Sequence, residues 1–326
     1  MTPLESSPGF NVLNTWLQSR DMTPFVFQQQ AWQSILNRES GLVNAPTGCG
    51  KTYSVFLGAL IDFINEHPTQ YQTKKNNGLQ LLWITPLRAL AKDIGRAMEE
   101  VIAGLGMQWQ IGIRNGDTDV NERARQKRNM PEVLIITPES LHLLLAQKGY
   151  PEVLKKLRIV AVDEWHELLG SKRCVQVELA ISRICGLRRK SNYAVPLSIW
   201  GISATIGNLD EACEVLLAPL QQTGSIIRAQ VRKEVDVLSV LPDEIEKYPW
   251  AGHLGIKLVH KVLPIIEASR TTLIFINTRG MSELWYQTLL QVAPELAGAI
   301  ALHHGSVDRE LRDWVEENLH TGRLKA

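Results

Sequence analysis

The chain has 326 residues, of which 44% are hydrophobic and 21% charged, and its formal net charge is +1. This composition excludes a disordered or low-complexity protein and suits a globular protein of about two domains. The low net charge means that bulk charge gives no argument for nucleic-acid binding. Neither an apolar run of about 20 residues nor a signal-peptide pattern is present, so we expect a cytoplasmic protein without a membrane partner.

In the first two thirds of the chain, short apolar runs alternate with helical patterns. The runs are apolar throughout, which is typical of parallel strands covered by helices on both faces. They predict strands at 42–45, 79–84, 109–113, 133–136, 159–162 and 197–202. The longest helical patterns between them cover 51–65 and 87–103. This alternation predicts an α/β domain with a doubly wound parallel sheet at about residues 1–225.

The sequence after residue 225 departs from this rhythm. Residues 226–240 predict a strand, and residues 241–252 predict a linker. A second alternation follows, with predicted helices at 254–268, 281–292 and 307–319 and predicted strands at 272–276 and 299–302. We therefore expect a first domain at 1–225, a connecting strand and linker at 226–252, and the N-terminal part of a second α/β domain at 253–326.

A glycine-rich loop, APTGCGKT at 45–52, follows the first predicted strand and opens the first long helix. Its glycines allow backbone amides to face phosphate oxygens, and the helix dipole favours the same anion. Lys51 places a positive charge at the β- and γ-phosphates, and the Thr52 hydroxyl suits Mg²⁺. The loop predicts ATP and Mg²⁺ as cofactors. The predicted contacts of this loop are Thr47, Gly48, Cys49, Gly50, Lys51 and Thr52.

Two adjacent acids, Asp163 and Glu164, end the apolar strand at 159–162. Acids at the carboxyl end of a parallel strand lie at the edge where such sheets bind ligands. We expect Asp163 to hold Mg²⁺ and Glu164 to orient and deprotonate the attacking water, with Lys51 as the third catalytic residue.

Three polar residues near these acids are candidates for coupling. Ser203 and Thr205 follow the strand at 197–202, and His166 lies two residues beyond the acidic pair. We expect the hydroxyls to bond back to the acidic pair and so to transmit the nucleotide state. We expect His166 to sense the γ-phosphate or to relay to a neighbouring strand. A strand-end turn and a structural histidine are the alternative interpretations.

With these segments in this order, the chain resembles a superfamily 2 DExH-box helicase. The segments that carry the resemblance are FQ at 27–28, TPLRALA at 85–91, NGDT at 115–118, TPESL at 137–141, DEWH at 163–166, SAT at 203–205, LIFINTR at 273–279 and LHHGS at 302–306. The run DEWHELLGSKR at 163–173 resembles the Lhr-like (large helicase-related) group, and within it the bacterial ligase-associated DExH helicases.

The resemblance implies a RecA-like first domain followed by an incomplete second RecA-like domain. It also implies that Gln28 contacts the adenine edge, that Phe25 stacks on the base, and that a nucleic-acid strand is held through its backbone. The strand contacts that it implies are Pro86, Arg88, Gly116, Thr118, Thr137 and Arg279.

The implied activity is an ATP-dependent DNA helicase or translocase that moves 3′ to 5′ in DNA repair. The implied partners are single-stranded or partly duplex DNA, or RNA, and repair proteins such as a DNA ligase or nuclease. The protein is expected to be a monomer.

Two motifs of the family, V and VI, have no match within residues 1–326. Motif VI carries arginines that reach the γ-phosphate, and such an arginine contributes about 10³–10⁵ in rate in phosphoryl transfer. We therefore expect residues 1–326 to bind ATP but to hydrolyse it slowly. The alternatives are an RNA-directed superfamily 2 helicase and a nucleotide-gated nucleic-acid-binding module without turnover.

Overall fold

The computed structural model describes residues 3–191, 196–204, 206–230, 235–242 and 254–326. Thr205 and most of the predicted linker, residues 243–252, lie outside the described residues. The chain divides into two compact units, Met1–Lys233 and Glu234–Ala326. Within the described ranges, no helix combines the length and the apolar character that crossing a membrane requires.

The first unit is built on a seven-stranded sheet with the order β3-β4-β2-β5-β6-β1-β7. Its strands are β1 (Gly41–Asn44), β2 (Leu81–Ile84), β3 (Ile111–Arg114), β4 (Val133–Ile136), β5 (Ile159–Val162), β6 (Ser198–Ser203) and β7 (Ser225–Arg228). All neighbouring strands pair in parallel. The predicted α/β fold with a parallel sheet is therefore confirmed.

Helices cover both faces of this sheet. They are α1 (Pro8–Gln18), α2 (Val26–Leu36), α3 (Lys51–Glu66), α4 (Arg88–Gly104), α5 (Val120–Arg128), α6 (Pro138–Leu145), α7 (Tyr150–Leu154), α8 (Trp165–Leu168), α9 (Lys172–Ser191) and α10 (Leu209–Leu217). In β2, Leu81 and Trp83 belong to the core under α1–α4, whereas Leu82 and Ile84 belong to the core under α6–α10. Burial on both faces explains why the strands are continuous apolar runs in the sequence.

The strand order brings two groups of loops to the carboxyl edge of the sheet. Because β6 lies between β5 and β1, the loops that follow these three strands are neighbours. On the other half of the sheet, β2, β4 and β3 bring the loops that begin at residues 85, 115 and 137 together. Ligands of open parallel sheets bind outside this edge.

The strand predicted at 226–240 is only partly present. β7 begins one residue earlier, at Ser225, and ends at Arg228. It pairs with β1 and so forms the last strand of the first sheet. Residues 235–242, which are also described, contain no strand. The prediction is wrong for 235–242, where the apolar side chains of Val235, Val237 and Leu238 are exposed instead of packed in a sheet.

The second unit contains α11 (Val259–Ala268), α12 (Arg279–Val292) and α13 (Arg309–His320). Side chains of α11 and α12 and of the segment after α12 form a small apolar core. The strands predicted at 272–276 and 299–302 are wrong, since neither described segment forms a regular ladder. Thr272 N–H donates to the Lys325 carbonyl at 2.8 Å, and Ala301 N–H donates to the Ala326 carbonyl at 3.0 Å. Each segment thus bonds to the last residues of the chain instead of to the other segment.

Candidate active site

The loop between β1 and α3 forms an open turn. Gly48 and Gly50 have φ of +85° and +68°, a conformation that residues with a side chain rarely adopt. A Cβ added at Gly48 would meet nothing within 4 Å, so the loop faces open space at this residue. Ala45 N–H donates to the Ser203 carbonyl at 3.1 Å, and this bond fixes the start of the loop against β6.

Lys51, the first residue of α3, is a buried cation that lacks a hydrogen-bond acceptor. Its side chain is 9% exposed, and Nζ has no hydrogen-bond partner. The nearest anionic atom is Glu164 Oε2, at 3.7 Å. Burying an ammonium group is costly unless an anion compensates it. Together with the open turn and the helix N-terminus, this unsatisfied donor fits the β- and γ-phosphates of a nucleotide.

Asp163 lies buried at the end of β5 and accepts two hydrogen bonds. Its Oδ1 accepts from Glu164 N–H at 2.9 Å, and its Oδ2 accepts from Trp83 Nε1 at 3.3 Å. Burial, and then the neighbouring charge of Glu164, raise the pKa of Asp163 to about 6. The carboxylate is therefore costly to keep ionised, and a divalent cation would stabilise its charged form.

Glu164 links the phosphate loop to His166. It has φ of +46°, a left-handed conformation that is uncommon for glutamate and costs conformational energy. Glu164 Oε2 lies 3.4 Å from His166 Nδ1. The same nitrogen lies 3.2 Å from Ser203 Oγ and accepts from Ala204 N–H at 3.4 Å. The Ser203 hydroxyl thus meets His166, and a row of contacts joins Lys51, Glu164, His166 and Ser203.

Gln28 connects the start of α2 to the phosphate loop. Its Oε1 accepts from Phe25 N–H at 2.9 Å, and its Nε2 donates to the Gly50 carbonyl at 3.0 Å. Both polar atoms of this amide therefore have partners in the protein. The Phe25 ring is exposed and stacks on Phe27, with 5.8 Å between the ring centroids. Phe25 accordingly keeps part of its aromatic surface exposed, as stacking on a base would require.

A divalent cation at this site would depend on the nucleotide for most of its ligands. Within the described ranges, no group of three or more His, Cys, Asp or Glu side chains could hold a metal ion. Mg²⁺ is commonly bound by one or two carboxylates together with water and substrate phosphates. Asp163 and the partly exposed Thr52, in the first turn of α3, fit that donor set.

The loops after β2 and β3 meet at the other half of the carboxyl edge. Arg88 is the first residue of α4, is exposed, and pairs with Asp117 across 3.1 Å. Gly116 is also exposed, and a Cβ added to it would lie 2.7 Å from Arg88 Nη2. The Arg88 guanidinium and the backbone of Gly116 therefore lie side by side at the surface, where one phosphate could contact both.

The other predicted contacts of this edge are less exposed. The Thr118 hydroxyl accepts from Asn115 N–H at 2.9 Å and donates to the Ile113 carbonyl at 3.1 Å, so it closes its own loop. Thr137 is buried, and its hydroxyl donates to Ser140 Oγ at 3.2 Å. The structure therefore gives both hydroxyls a role in holding the loops.

Arg173, in the first turn of α9, connects two of these loops. It donates from Nη1 to the carbonyl of the buried Pro86 at 3.2 Å and from Nε to Glu139 Oε1 at 2.7 Å. The sequence does not identify Arg173, because its partners are 87 and 34 residues away.

Arg279 lies in the second unit, at the start of α12, and donates to the Ser306 hydroxyl.

The raised pKa of Asp163 gives an expected dependence of stability on pH. Because its folded-state pKa of about 6 exceeds the ordinary value of 3.8, the folded state binds this proton more tightly than the unfolded state. This contribution to stability is present below about pH 4 and is lost as the pH rises through about 6. We expect a loss of up to about 3 kcal/mol in the free energy of unfolding.

The measurement is urea unfolding of the wild type and of Asp163→Asn between these pH values, without nucleotide. The wild type should lose stability relative to the variant as the pH rises. If the difference in the free energy of unfolding between the wild type and Asp163→Asn does not change with pH, the raised pKa of Asp163 is contradicted.

Comparison with known proteins places these features in a family. The model of the DEAD/DEAH box helicase family matches residues 25–212. The chain is 32% identical to the ATP-dependent helicase Lhr-Core protein 2 of Thermococcus barophilus, over 95% of this chain and 36% of that protein. It is 30% identical to the Lhr helicase/uracil glycosylase of Escherichia coli, over 95% of this chain and 23% of that protein.

A solved structure is similar over nearly the whole chain. The structure of the Mycobacterium smegmatis helicase Lhr bound to ssDNA and AMP-PNP has a TM-score of 0.80 and 29% sequence identity, and the match covers 98% of this chain and 42% of that one. The chain therefore spans less than half the length of each of these relatives.

Proposed function

Because this chain belongs to the DEAD/DEAH box helicase family, we propose that it is the ATP-binding motor part of a DNA helicase or translocase of the Lhr kind. The observation that carries the proposal is the buried Lys51 ammonium, which lacks an acceptor and lies beside Glu164 at the open phosphate loop. The Glu164 carboxylate, 3.7 Å away, leaves the Lys51 ammonium without a hydrogen-bond acceptor, and a triphosphate would supply acceptors. A nucleotide-gated binding module without turnover would leave Glu164 without a catalytic task.

ATP would bind with its phosphates on the amides of the loop and on Lys51. Mg²⁺, held by Thr52 and Asp163, would neutralise part of the triphosphate charge. Glu164 would orient the attacking water and accept its proton, because its carboxylate is placed next to Lys51 and therefore close to the γ-phosphate. Gln28, which donates to the Gly50 carbonyl of the loop, would face the adenine edge, and Phe25 would stack on the base.

The row from Glu164 through His166 to Ser203 would report the state of the nucleotide to β6. The distances of 3.4 Å and 3.2 Å along this row support the proposal. A change in Glu164 on hydrolysis would alter the bond between His166 and Ser203, and hence the end of β6. We include Thr205 in this coupling, because it follows Ser203 by two residues.

We further propose a division of the chain into a motor domain at 1–225, a connecting segment at 226–252 and part of a second RecA-like domain at 253–326. On their own, residues 1–326 would bind ATP and turn it over slowly. The whole protein would move 3′ to 5′ as a cytoplasmic monomer in DNA repair, with a ligase or nuclease as partner, as the ligase-associated subgroup implies.

The nucleic acid would be single-stranded or partly duplex DNA, held at the loops after β2, β3 and β4. The relative from M. smegmatis has a structure bound to ssDNA, which supports DNA over RNA. The predicted contacts Pro86, Arg88, Gly116, Thr118 and Thr137 lie in these loops. Arg279 would add a contact from the second unit. Backbone contacts give affinity that depends on salt and not on base sequence.

Arg88→Ala should lower both the affinity for a single-stranded oligonucleotide and its dependence on salt. Losing one phosphate contact should reduce the slope of log K against log[salt] by about 0.7. Fluorescence anisotropy with matched DNA and RNA oligonucleotides would measure both quantities.

The control is Arg96→Ala, which removes an exposed arginine two turns further along α4. An equal slope for the wild type and Arg88→Ala would remove Arg88 from the interface. Tighter binding of the RNA oligonucleotide would favour the RNA-directed alternative.

A further inference from the structure

A cavity of about 500 Å³ opens between α5 and α6, beside the ends of β3 and β4. The residues on which the argument rests are Arg114, Val120, Arg123, Lys127, Ser140 and Leu143. Three of them are cations, and none of the described residues that line the cavity is acidic. The cavity therefore has a positive character that the net charge of the chain does not indicate.

Arg114 lies at the bottom of this cavity as a buried cation. Its side chain is 5% exposed, and its Nη1 is buried without a hydrogen-bond partner. It is the last residue of β3 and lies on the same face as Gly112, where a Cβ would be 3.2 Å from Gln126 of α5. Burial, and then the charge of Arg123, lower the pKa of Arg114. A buried guanidinium without an acceptor is costly, and an anionic ligand would remove that cost.

Arg123 joins the cavity to the predicted nucleic-acid edge. Its Nη2 donates to the carbonyls of Asn115 at 3.0 Å and Gly116 at 3.4 Å, while its Nε is buried without a partner. Lys127 follows one helical turn later and is exposed. Arg123 is therefore held by two backbone acceptors, each arginine has a donor without a partner, and Lys127 adds an exposed charge.

The walls of the cavity are apolar and open to solvent. Val120 on α5 is 79% exposed, and Leu143 on α6 is 61% exposed. Ser140, whose hydroxyl accepts from Thr137, forms part of the wall next to β4. A buried arginine together with exposed apolar side chains fits a ligand that carries an anion on a less polar body. One nucleotide of a single strand has this character, with a phosphate attached to a sugar and a base.

We propose that this cavity binds one nucleotide unit of a single-stranded nucleic acid, with the phosphate on Arg114 and Arg123 and the sugar or base against Val120 and Leu143. The inference rests on the proposed function, since it extends the strand beyond Arg88 and Gly116. Soluble phosphate has the same anionic chemistry. The contact of Arg123 with the carbonyls of Asn115 and Gly116 favours the strand, because it joins the cavity to the loop that is proposed to hold the strand.

Arg114→Met and Lys127→Ala should each weaken binding of a single-stranded DNA oligonucleotide by about 3- to 10-fold and lower the salt slope by about 0.7. Arg128→Ala is the matched control, because Arg128 lies on α5 but not in the cavity wall. Arg114→Met should leave the melting temperature of the free protein unchanged or raised, because it removes a buried cation without an acceptor. Lys127→Ala tests the site independently, since an exposed side chain is not needed for folding.

The outcomes separate this inference from the proposed function. If the wild type binds no oligonucleotide, the proposed function fails, and this inference fails with it. If Arg88→Ala weakens binding while Arg114→Met and Lys127→Ala behave as the wild type, only the cavity is excluded. If inorganic phosphate raises the melting temperature of the wild type but not of Arg114→Met, while DNA binding is equal in both, the cavity is a soluble-anion site and the proposal is overturned.

Discussion

Lys51→Ala should lower the affinity for ATP in the presence of Mg²⁺ by about 10- to 150-fold, the effect of losing one hydrogen-bonded charge. The ammonium is buried and has no acceptor in the free protein, so it is available to the phosphates. The same feature predicts an unusual result without nucleotide. Because Lys51 has no hydrogen-bond acceptor and lies 3.7 Å from Glu164 Oε2, its removal should change the melting temperature of the free protein only slightly.

Titration with a fluorescent ATP analogue and thermal unfolding with and without ATP would measure these effects. Lys75→Ala is the control, because Lys75 is exposed in the loop before β2. The variant at Lys51 should lose the stabilisation that ATP gives the wild type, whereas the control should keep it. A large drop in stability without nucleotide would show that Lys51 holds the fold instead of the ligand.

Glu164→Gln should slow ATP hydrolysis by about 10²–10⁴-fold, the usual contribution of a general base, while ATP affinity stays within a few-fold of the wild type. The amide keeps the shape of the carboxylate but cannot take a proton from water. The substitution also removes the negative charge of Glu164, which contributes to the raised pKa of Asp163. Binding and chemistry should therefore separate in this variant.

Because slow turnover is expected of residues 1–326, the assay should follow single-turnover hydrolysis of labelled ATP over long times. Glu167→Gln is a matched control, since Glu167 lies 3.6 Å from the other ring nitrogen of His166 and is exposed. Equal rates for Glu164→Gln and the wild type would assign the base elsewhere. Equal losses in both variants would point to His166 as the sensitive group.

The apolar runs predicted the first sheet well because burial on both faces leaves a simple pattern in the sequence. β4 and β5 were predicted at their observed bounds, 133–136 and 159–162. The phosphate loop and the acidic pair were also visible, since each is a contiguous segment at the end of a strand. The sequence alone is sufficient to identify a site segment when its functional residues are neighbours in the chain.

The partners of the site residues depend on strand order and could not be predicted. Trp83 donates to Asp163 across 80 residues because β2 lies next to β5 in the sheet. Ser203 meets His166 for the same reason, since β6 pairs with β5. Arg114 was missed because an arginine that ends a strand gives no sign in the sequence of whether it is buried.

The predictions for the second unit failed at its strands. Residues 272–276 and 299–302 have an apolar pattern that suits strands, but a ladder needs a neighbour over several residues. In the described residues of this unit, Thr272 makes one backbone hydrogen bond to Lys325, and Ala299 and Ala301 make three to Lys325 and Ala326, which is too short a pairing for a regular ladder. The hydrophobic pattern of the sequence therefore indicated where apolar segments lie, but not whether they pair with a neighbouring strand.

The central claim is that the phosphate loop and the acidic pair bind one metal–triphosphate. A crystal structure of the protein with AMP-PNP and Mn²⁺, using the anomalous signal of the metal, would test it most directly. We expect one metal peak between the Thr52 hydroxyl and the Asp163 carboxylate. The γ-phosphate should contact Lys51, and the Glu164 carboxylate should face the side of the γ-phosphate that water attacks. A triphosphate bound away from the turn at Gly48–Gly50 would contradict the account. So would a metal ion that Asp163 neither coordinates directly nor contacts through a metal-bound water.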